Sequence, residues 1–304
     1  MRAEAYIRDG FFREGFELYE ARWEVPDYPD KGCPVRAPRW QGEDLAGRRI
    51  LLWHEQGLGD VIQMLRFVPV LVRQQGRVVL AVQRELKRLA ESVAGLEQVI
   101  TYGDTFDDVD CQCPLLSLPY RLGVRLANLP NAVPYLWPPQ ELIDAWRSRL
   151  GPLTAMRVGL VCSGSGLARL AERSIQVAAL APLLDLPCEF HLLQDRIGDA
   201  DRAFLAGVNV HMHDDELTDM AETAALTRNL DLIISIDSAV AHLAGALGLP
   251  CWVMLPRQSD MRWMIGRSDS PWYPSLRLFR QTTPDDWGPV IEQVCAGLRA
   301  RLSG

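Results

Sequence analysis

Asp237 and Ser238 stand where an apolar run, Leu232 to Ile236, gives way to a small-residue stretch that ends at Gly248, two residues before Pro250. The run reads as a buried strand and the stretch as a helix. A strand feeding a helix N-terminus leaves free backbone N–H groups and a positive dipole end above the sheet, a ready site for phosphate or diphosphate. The N–H groups at Ser238 and Ala239 would face such an anion. His242 follows Ser238 by four residues, so the two share a helix face, and helical side chains lean back toward the N-terminus. Its imidazole would then reach the same anion. The alternative is an N-capped helix with a surface histidine.

A second loop with chemical potential is Gln56-Gly57-Leu58-Gly59-Asp60. It lacks the third glycine of a dinucleotide fingerprint, so it does not indicate NAD. Asp60 is placed to cap a helix or to take a proton from an acceptor hydroxyl. His54 and Glu55 either assist that proton transfer or brace the loop. Trp263, Trp272, Tyr273 and Trp287 read as packing or as a stacking surface for a base or sugar. His211 and His213 share one strand face and could ligate a metal, but a strand end running into a polar loop explains them, and no metal is assigned. Arg84, Lys87 and Arg88 read as a solvated helix face.

The elements that would position these loops alternate. Helical periodicity runs from Met1 to Trp23, with Phe11, Phe12, Phe16, Tyr19 and Trp23 as inward positions, and Pro26, Pro29, Pro34 and Pro38 then make an extended connector. Strands are predicted over residues 48–53, 77–82 and 98–102, with helices over 61–74, kinked near Pro69, and 84–93. Four prolines between Asn128 and Pro139 mark the approach to a domain boundary. The alternation restarts with strands at 157–162, 189–194, 208–211 and 251–255 and helices at 177–184, 201–206 and 219–228. A tail helix over 287–302 is expected to cross back to the first lobe. This pattern argues for parallel sheets covered by helices.

The bulk properties agree. The chain has 304 residues, 48% of them apolar, and a formal net charge of −7. That length exceeds what one core usually holds, and the charge argues against a general nucleic-acid binder. No stretch approaches the roughly 18 apolar residues of a membrane span. The charged N-terminus does not read as a secretory signal, and seven scattered cysteines suit a reducing cytoplasm. Cys111-Gln-Cys113 is too closely spaced for a zinc site.

Phe16-Glu-Leu-Tyr-Glu-Ala-Arg-Trp23, Glu55 to Asp60, Pro114-Leu-Leu-Ser-Leu-Pro119, Asp237 to Gly248, Ser270-Pro-Trp-Tyr-Pro274, Leu278-Phe-Arg-Gln281 and Trp287 occur in one order. Together, from about Gly10 to the tail helix, they resemble the C-terminal glycosyltransferase-like domain found behind tetratricopeptide repeats in bacterial proteins. That domain is similar to the ADP-heptose:lipopolysaccharide heptosyltransferases.

The resemblance implies a GT-B-like α/β fold, two Rossmann-type parallel-sheet lobes facing a central cleft. It divides the chain into a repeat remnant with connector (1–45), an acceptor-side lobe (46–145), a nucleotide-sugar lobe (146–286) and the crossing helix (287–304). It implies hexosyl or heptosyl transfer from a nucleotide-diphosphate sugar to a protein or glycan hydroxyl, inverting and without metal or other cofactor. Asp60 matches the general base, and His54, Glu55, Gln56, Gly57 and Gly59 form the acceptor-side loop. Ser163, Gly164, Ser165, Arg169, Arg173, Ser174 and Gln194 join Asp237, Ser238, Ala239 and His242 on the donor side. A homo-oligomer is compatible with this reading.

One loop departs from the family. Where the family has a tryptophan and a polar His and Asn-Asp cluster, this chain has Cys162 and Leu167-Ala168-Arg169-Leu170-Ala171, and Met261 replaces a second tryptophan. A catalytically degenerate interaction module is therefore one alternative. A nucleotide-sugar epimerase, which needs no external acceptor, is another.

Overall fold

The structure, a computed structural model, describes residues 2–26, 28, 33, 35–164, 172–194 and 196–303. The chain divides into two units, one running to Trp137 and including Asp260–Gly266, the other comprising Pro138–Ser259 and Arg267 onward. The return of Asp260–Gly266 to the first unit has no counterpart in the sequence reading, which gave that segment to the second lobe. Among the described residues no helix is long and apolar enough to cross a membrane.

The first unit opens with a helical pair, α1 (Arg2–Arg8) and α2 (Phe12–Tyr19), in place of one continuous helix. Gly10, at a φ of +91°, breaks it. Position 15 must be glycine for the pair to close, because a Cβ there would lie 2.9 Å from the backbone nitrogen of Ile7. Phe12 and Phe16 are buried as expected, while Phe11 is turned out, 57% exposed. Next come β1 (Arg49–Trp53), α3 (Leu58–Met64), α4 (Val68–Arg73), β2 (Arg77–Ala81), α5 (Lys87–Ala90), β3 (Leu96–Ile100), β4 (Cys111–Pro114) and α6 (Leu118–Arg121). The helix expected over 61–74 and kinked near Pro69 is present as α3 and α4, joined without a gap by a tight 3₁₀ turn at Leu65–Phe67. Pro69 falls in the first turn of α4, where its missing N–H costs no hydrogen bond. The sheet order is β3-β2-β1-β4, all parallel. Every residue of β1 is buried, as expected of a central strand covered on both faces.

The second unit holds α7 (Gln140–Leu150), β5 (Arg157–Val161), α8 (Ala181–Leu184), β6 (Glu189–Leu192), α9 (Asp199–Leu205), β7 (Val210–Met212), α10 (Met220–Thr227), β8 (Leu232–Ile236), α11 (Ala239–Ala246), β9 (Cys251–Leu255), β10 (Leu276–Arg280) and α12 (Gly288–Ser303). Its parallel sheet runs β10-β9-β8-β5-β6-β7. Counted from β5 and read from the β7 edge, that is the doubly wound order 3-2-1-4-5-6. The chain reverses direction across the sheet between β5 and β8, so a crevice opens above their carboxyl ends. The tail helix α12 packs on β10 and α8.

α1 also packs on the turn Met261–Trp263, so the helical pair supports a segment that reappears in the site below. Gly15→Val should force α1 off α2 and lower the stability of the first unit by about 1–3 kcal/mol, the usual cost of overpacking. Urea unfolding followed by tryptophan fluorescence measures this, and an unchanged midpoint would show that the close approach is not needed.

Candidate functional site

At the reversal point of the second sheet, β8 ends and Ser238 caps α11. Its Oγ accepts the Ala241 N–H at 3.4 Å and lies 2.9 Å from the Ser235 hydroxyl. The first N–H groups of a helix have no partner within it, so those of Ser238, Ala239 and Val240 are left for an outside acceptor, with the dipole behind them. Asp237 is buried, and its Oδ2 takes a 2.9 Å hydrogen bond from Arg173 Nη1, which also donates to the Asp237 carbonyl at 3.3 Å. Arg173 thus arrives at the helix start with its charge already matched by a carboxylate.

Across the reversal point, the end of β5 is tied to the end of β6 by the buried Gln194. Its Oε1 accepts the backbone N–H groups of Cys162 and Ser163 at 3.2 and 3.3 Å, and its Nε2 donates to Ser163 Oγ at 2.7 Å. Burial pushes the Cys162 thiol up to about 12, so it is inert filler at neutral pH. Gly164 is exposed, and a Cβ there would meet nothing within 4 Å. Ser174 is half-buried, beside the Ile175 N–H that binds the Cys162 carbonyl at 2.8 Å. Ser165 and Arg169 lie outside the described residues.

His242 departs from expectation. It is 1% exposed, and its Nδ1 pairs with the Tyr273 hydroxyl at 2.8 Å. The small residues that mark α11 explain this: a Cβ at Gly245 would overlap the Tyr273 ring at 2.4 Å, so glycine there lets the tyrosine reach the histidine. Trp263, Trp272 and Tyr273 are likewise buried, as packing residues.

In the first unit, Asp60 is the third residue of α3, and its Oδ2 accepts the Gly57 N–H at 3.0 Å. Its Oδ1 is ion-paired with Arg262, whose Nε lies 3.0 Å from Asp260. An ionised carboxylate offers about four lone-pair sites, so these partners orient Asp60 and leave acceptor capacity for a hydroxyl proton. Gln56 bridges the Tyr19 and Tyr28 hydroxyls at 2.8 and 3.1 Å. Burial, more than any neighbouring charge, pushes Tyr19 up to about 12, so both its proton and the bridge persist at neutral pH. His54 meets the Tyr102 ring edge-on at 4.9 Å, and Gly59 is buried under the turn.

Glu55 braces this loop. It is 0% exposed and receives both arms of the Arg22 guanidinium, at 2.8 and 3.0 Å, together with the Leu116 N–H at 3.1 Å. Burial raises its pKa against the lowering effect of Arg22. Arg22 continues to Glu20 at 2.7 Å and Ser117 Oγ at 2.8 Å, and Glu20 reaches Arg121 at 3.3 Å. Three motifs far apart in sequence are therefore one buried polar network. The sequence offered Glu55 as a brace of the loop, which it is, but gave Arg22, Glu20 and Ser117 no role; Ser117, a polar residue set in the apolar run Pro114 to Pro119, is the available signal. Arg262 carried no such mark.

No family model matches the chain. It is 29% identical to protein FlbA of Caulobacter vibrioides over 98% of its own length, and it spans about half, 54%, of that protein. Among solved structures it is similar to the family 9 glycosyl transferase from Veillonella parvula, with a TM-score of 0.63 at 12% identity, covering 86% of this chain and 99% of that one. It is also similar to ADP-heptose lipopolysaccharide heptosyltransferase II of E. coli, with a TM-score of 0.57 at 12% identity over 84% and 98% of the two chains. A third, the iron-containing dodecameric glycosyltransferase TibC of E. coli, has a TM-score of 0.56 at 14% identity over 86% and 77%. These likenesses show the fold, a GT-B-type α/β architecture with two parallel sheets.

Arg22→Met should destabilise the first unit by about 3–5 kcal/mol, because it leaves Glu55 buried without its countercharge. The double change Arg22→Met with Glu55→Leu should recover much of that loss. Chemical denaturation measures both, and a single-variant cost below about 1 kcal/mol would mean that water already reaches Glu55.

Proposed function

We propose that the protein is a glycosyltransferase that moves a sugar from a nucleotide-diphosphate donor to a hydroxyl on a protein or glycan, with inversion and without a metal at the transferring centre. The observation that carries this reading is the capped start of α11 at the reversal point of a 3-2-1-4-5-6 parallel sheet. The fold likeness to heptosyltransferases supports it, and TibC has been crystallised with ADP-D-β-D-heptose. An ADP-linked heptose is accordingly the first donor to try.

In this mechanism the N–H groups at Ser238 and Ala239 and the α11 dipole hold the diphosphate. Asp60 takes the proton of the acceptor hydroxyl. The oxygen then attacks the anomeric carbon from the face opposite the diphosphate, the glycosidic bond breaks, and the nucleoside diphosphate leaves with the bonding electrons. Charge grows on the diphosphate as the bond breaks, and N–H donors already fixed in place stabilise it without reorganising. Arg262 and the Gly57 N–H keep the Asp60 carboxylate aimed. A tetratricopeptide array ahead of the helical pair would present acceptor peptides.

A module that kept the fold and lost the chemistry is the second reading. It is favoured by Cys162, a buried thiol sealed under Gln194 where the related family carries a tryptophan.

A general base contributes typically ~10²–10⁴ in rate, so Asp60→Asn should slow transfer at least about a hundredfold while donor affinity holds. The amide oxygen still accepts the Gly57 N–H, and circular dichroism checks that the fold survives. Equal rates for the two proteins would reduce Asp60 to a cap. Ser238→Glu should abolish nucleotide binding in calorimetry and leave the apo protein about as stable, since an acidic group is tolerated at a helix N-terminus. Unchanged affinity would remove the anion site from the mechanism.

A further inference from the structure

Three of the five histidines of the chain meet on one face of the second sheet, away from the loops discussed so far. Glu189 and His191 are two residues apart on β6, and His211 sits opposite His191 on β7, with His213 next on the same face. The His191 ring stacks against His211 at 4.8 Å and against His213 at 5.4 Å. One ligand atom from each of Glu189, His191 and His211 falls within 4.8 Å of the other two.

The surrounding hydrogen bonds determine which atoms face inward. Glu216 Oε2 lies 2.9 Å from His213 Nδ1, and an ionised carboxylate only accepts, so His213 carries its proton on Nδ1. His213 Nε2 then accepts, from His191 Nδ1 at 3.1 Å. His191 Nε2 is left as a bare lone pair, in a ring 0% exposed and without a hydrogen-bond partner. Arg157 Nε donates to Glu189 Oε2 at 3.0 Å, which turns Oε1 toward the rings. That oxygen lies 3.3 Å from His191 Nε2 and 3.7 Å from His211 Nε2. Glu189 Oε1 and His191 Nε2 therefore face each other in the protein interior, the nitrogen without a hydrogen-bond partner.

We propose that Glu189, His191 and His211 form a binding site for a divalent transition metal ion, zinc foremost, with a fourth position open to the cleft of about 520 Å³ that Arg149 and Leu150 help to line. Tetrahedral nitrogen and oxygen ligands about 2.0–2.2 Å from zinc lie about 3.3–3.5 Å from one another; Glu189 Oε1 is already 3.3 Å from His191 Nε2, and a modest turn of the half-exposed His211 ring from its 3.7 Å would complete the set. Two imidazoles with one carboxylate select zinc or a neighbouring transition metal over magnesium or calcium, which prefer oxygen. The chain His191–His213–Glu216 is the outer support that fixes a ligand's tautomer, and Arg157 does the same for the carboxylate. The site stands apart from the sugar-transfer reading and survives if that reading fails.

The test uses the full chain, dialysed against chelator and then titrated with Zn²⁺ by calorimetry and with Co²⁺ by absorbance. One equivalent should bind, and Co²⁺ should give a ligand-field spectrum without a thiolate charge-transfer band. His211 is half-exposed on an edge strand, so His211→Ala should fold normally and lose at least tenfold in Zn²⁺ affinity. His213→Gln should lose about 10–100-fold, as outer partners do. Absence of binding at millimolar Zn²⁺ overturns the proposal. So does wild-type affinity in His211→Ala, or a strong thiolate band, either of which assigns the ion to cysteines.

Discussion

The pairing of Arg22 with Glu55 is the constraint on which the first unit turns. Both side chains are almost or fully out of water, and a buried carboxylate is tolerable only while its countercharge and hydrogen bonds stay in place. Satisfying them requires that the segment after α2, the turn after β1 and the turn after β4 come together, because each supplies a partner. The glycine turn that carries Asp60 inherits its position from that arrangement. Arg262 then comes from residue 202 positions later to hold the free oxygen of Asp60. Because α1 packs on the segment bearing Arg262, the N-terminal helices are part of the apparatus that aims the carboxylate.

The second unit solves a different problem. An anion must be held by groups that do not need to move, and the sheet order creates the place by reversing between β5 and β8. Arg173 is paired with Asp237 and His242 with Tyr273, so in the proposed mechanism the backbone N–H groups of α11 carry the recognition of charge. Gln194 closes the opposite wall by binding the end of β5. Fixed dipoles of this kind suit a leaving group whose charge grows during the reaction.

Much of the alternation was legible because apolar runs such as Leu232 to Ile236 can only be buried strands at that length. β4 and β10 were missed for physical reasons. Cys111–Pro114 is too short to show a period, and Leu276–Arg280 carries two arginines that mask its alternating face. α7 was hidden behind Pro138 and Pro139, although a proline pair is a normal way to open a helix. The turn at Asp237 and Ser238 was read correctly as a capped helix start, since a capping residue after a strand is a local signal. The interior position of His242 was not local: it depends on Tyr273, 31 residues later, and on a glycine that makes room for it. Likewise, nothing near Arg262 announces a carboxylate from the other end of the chain.

The most direct test compares a nucleoside diphosphate with its monophosphate by calorimetry, using ADP against AMP and then the uridine and guanosine pairs. A site built from the α11 N–H groups binds the diphosphate of the preferred pair at least tenfold more tightly, and the preference weakens as salt rises. Equal affinity for both members of every pair, or no binding of any, would contradict a diphosphate site at Asp237 and Ser238.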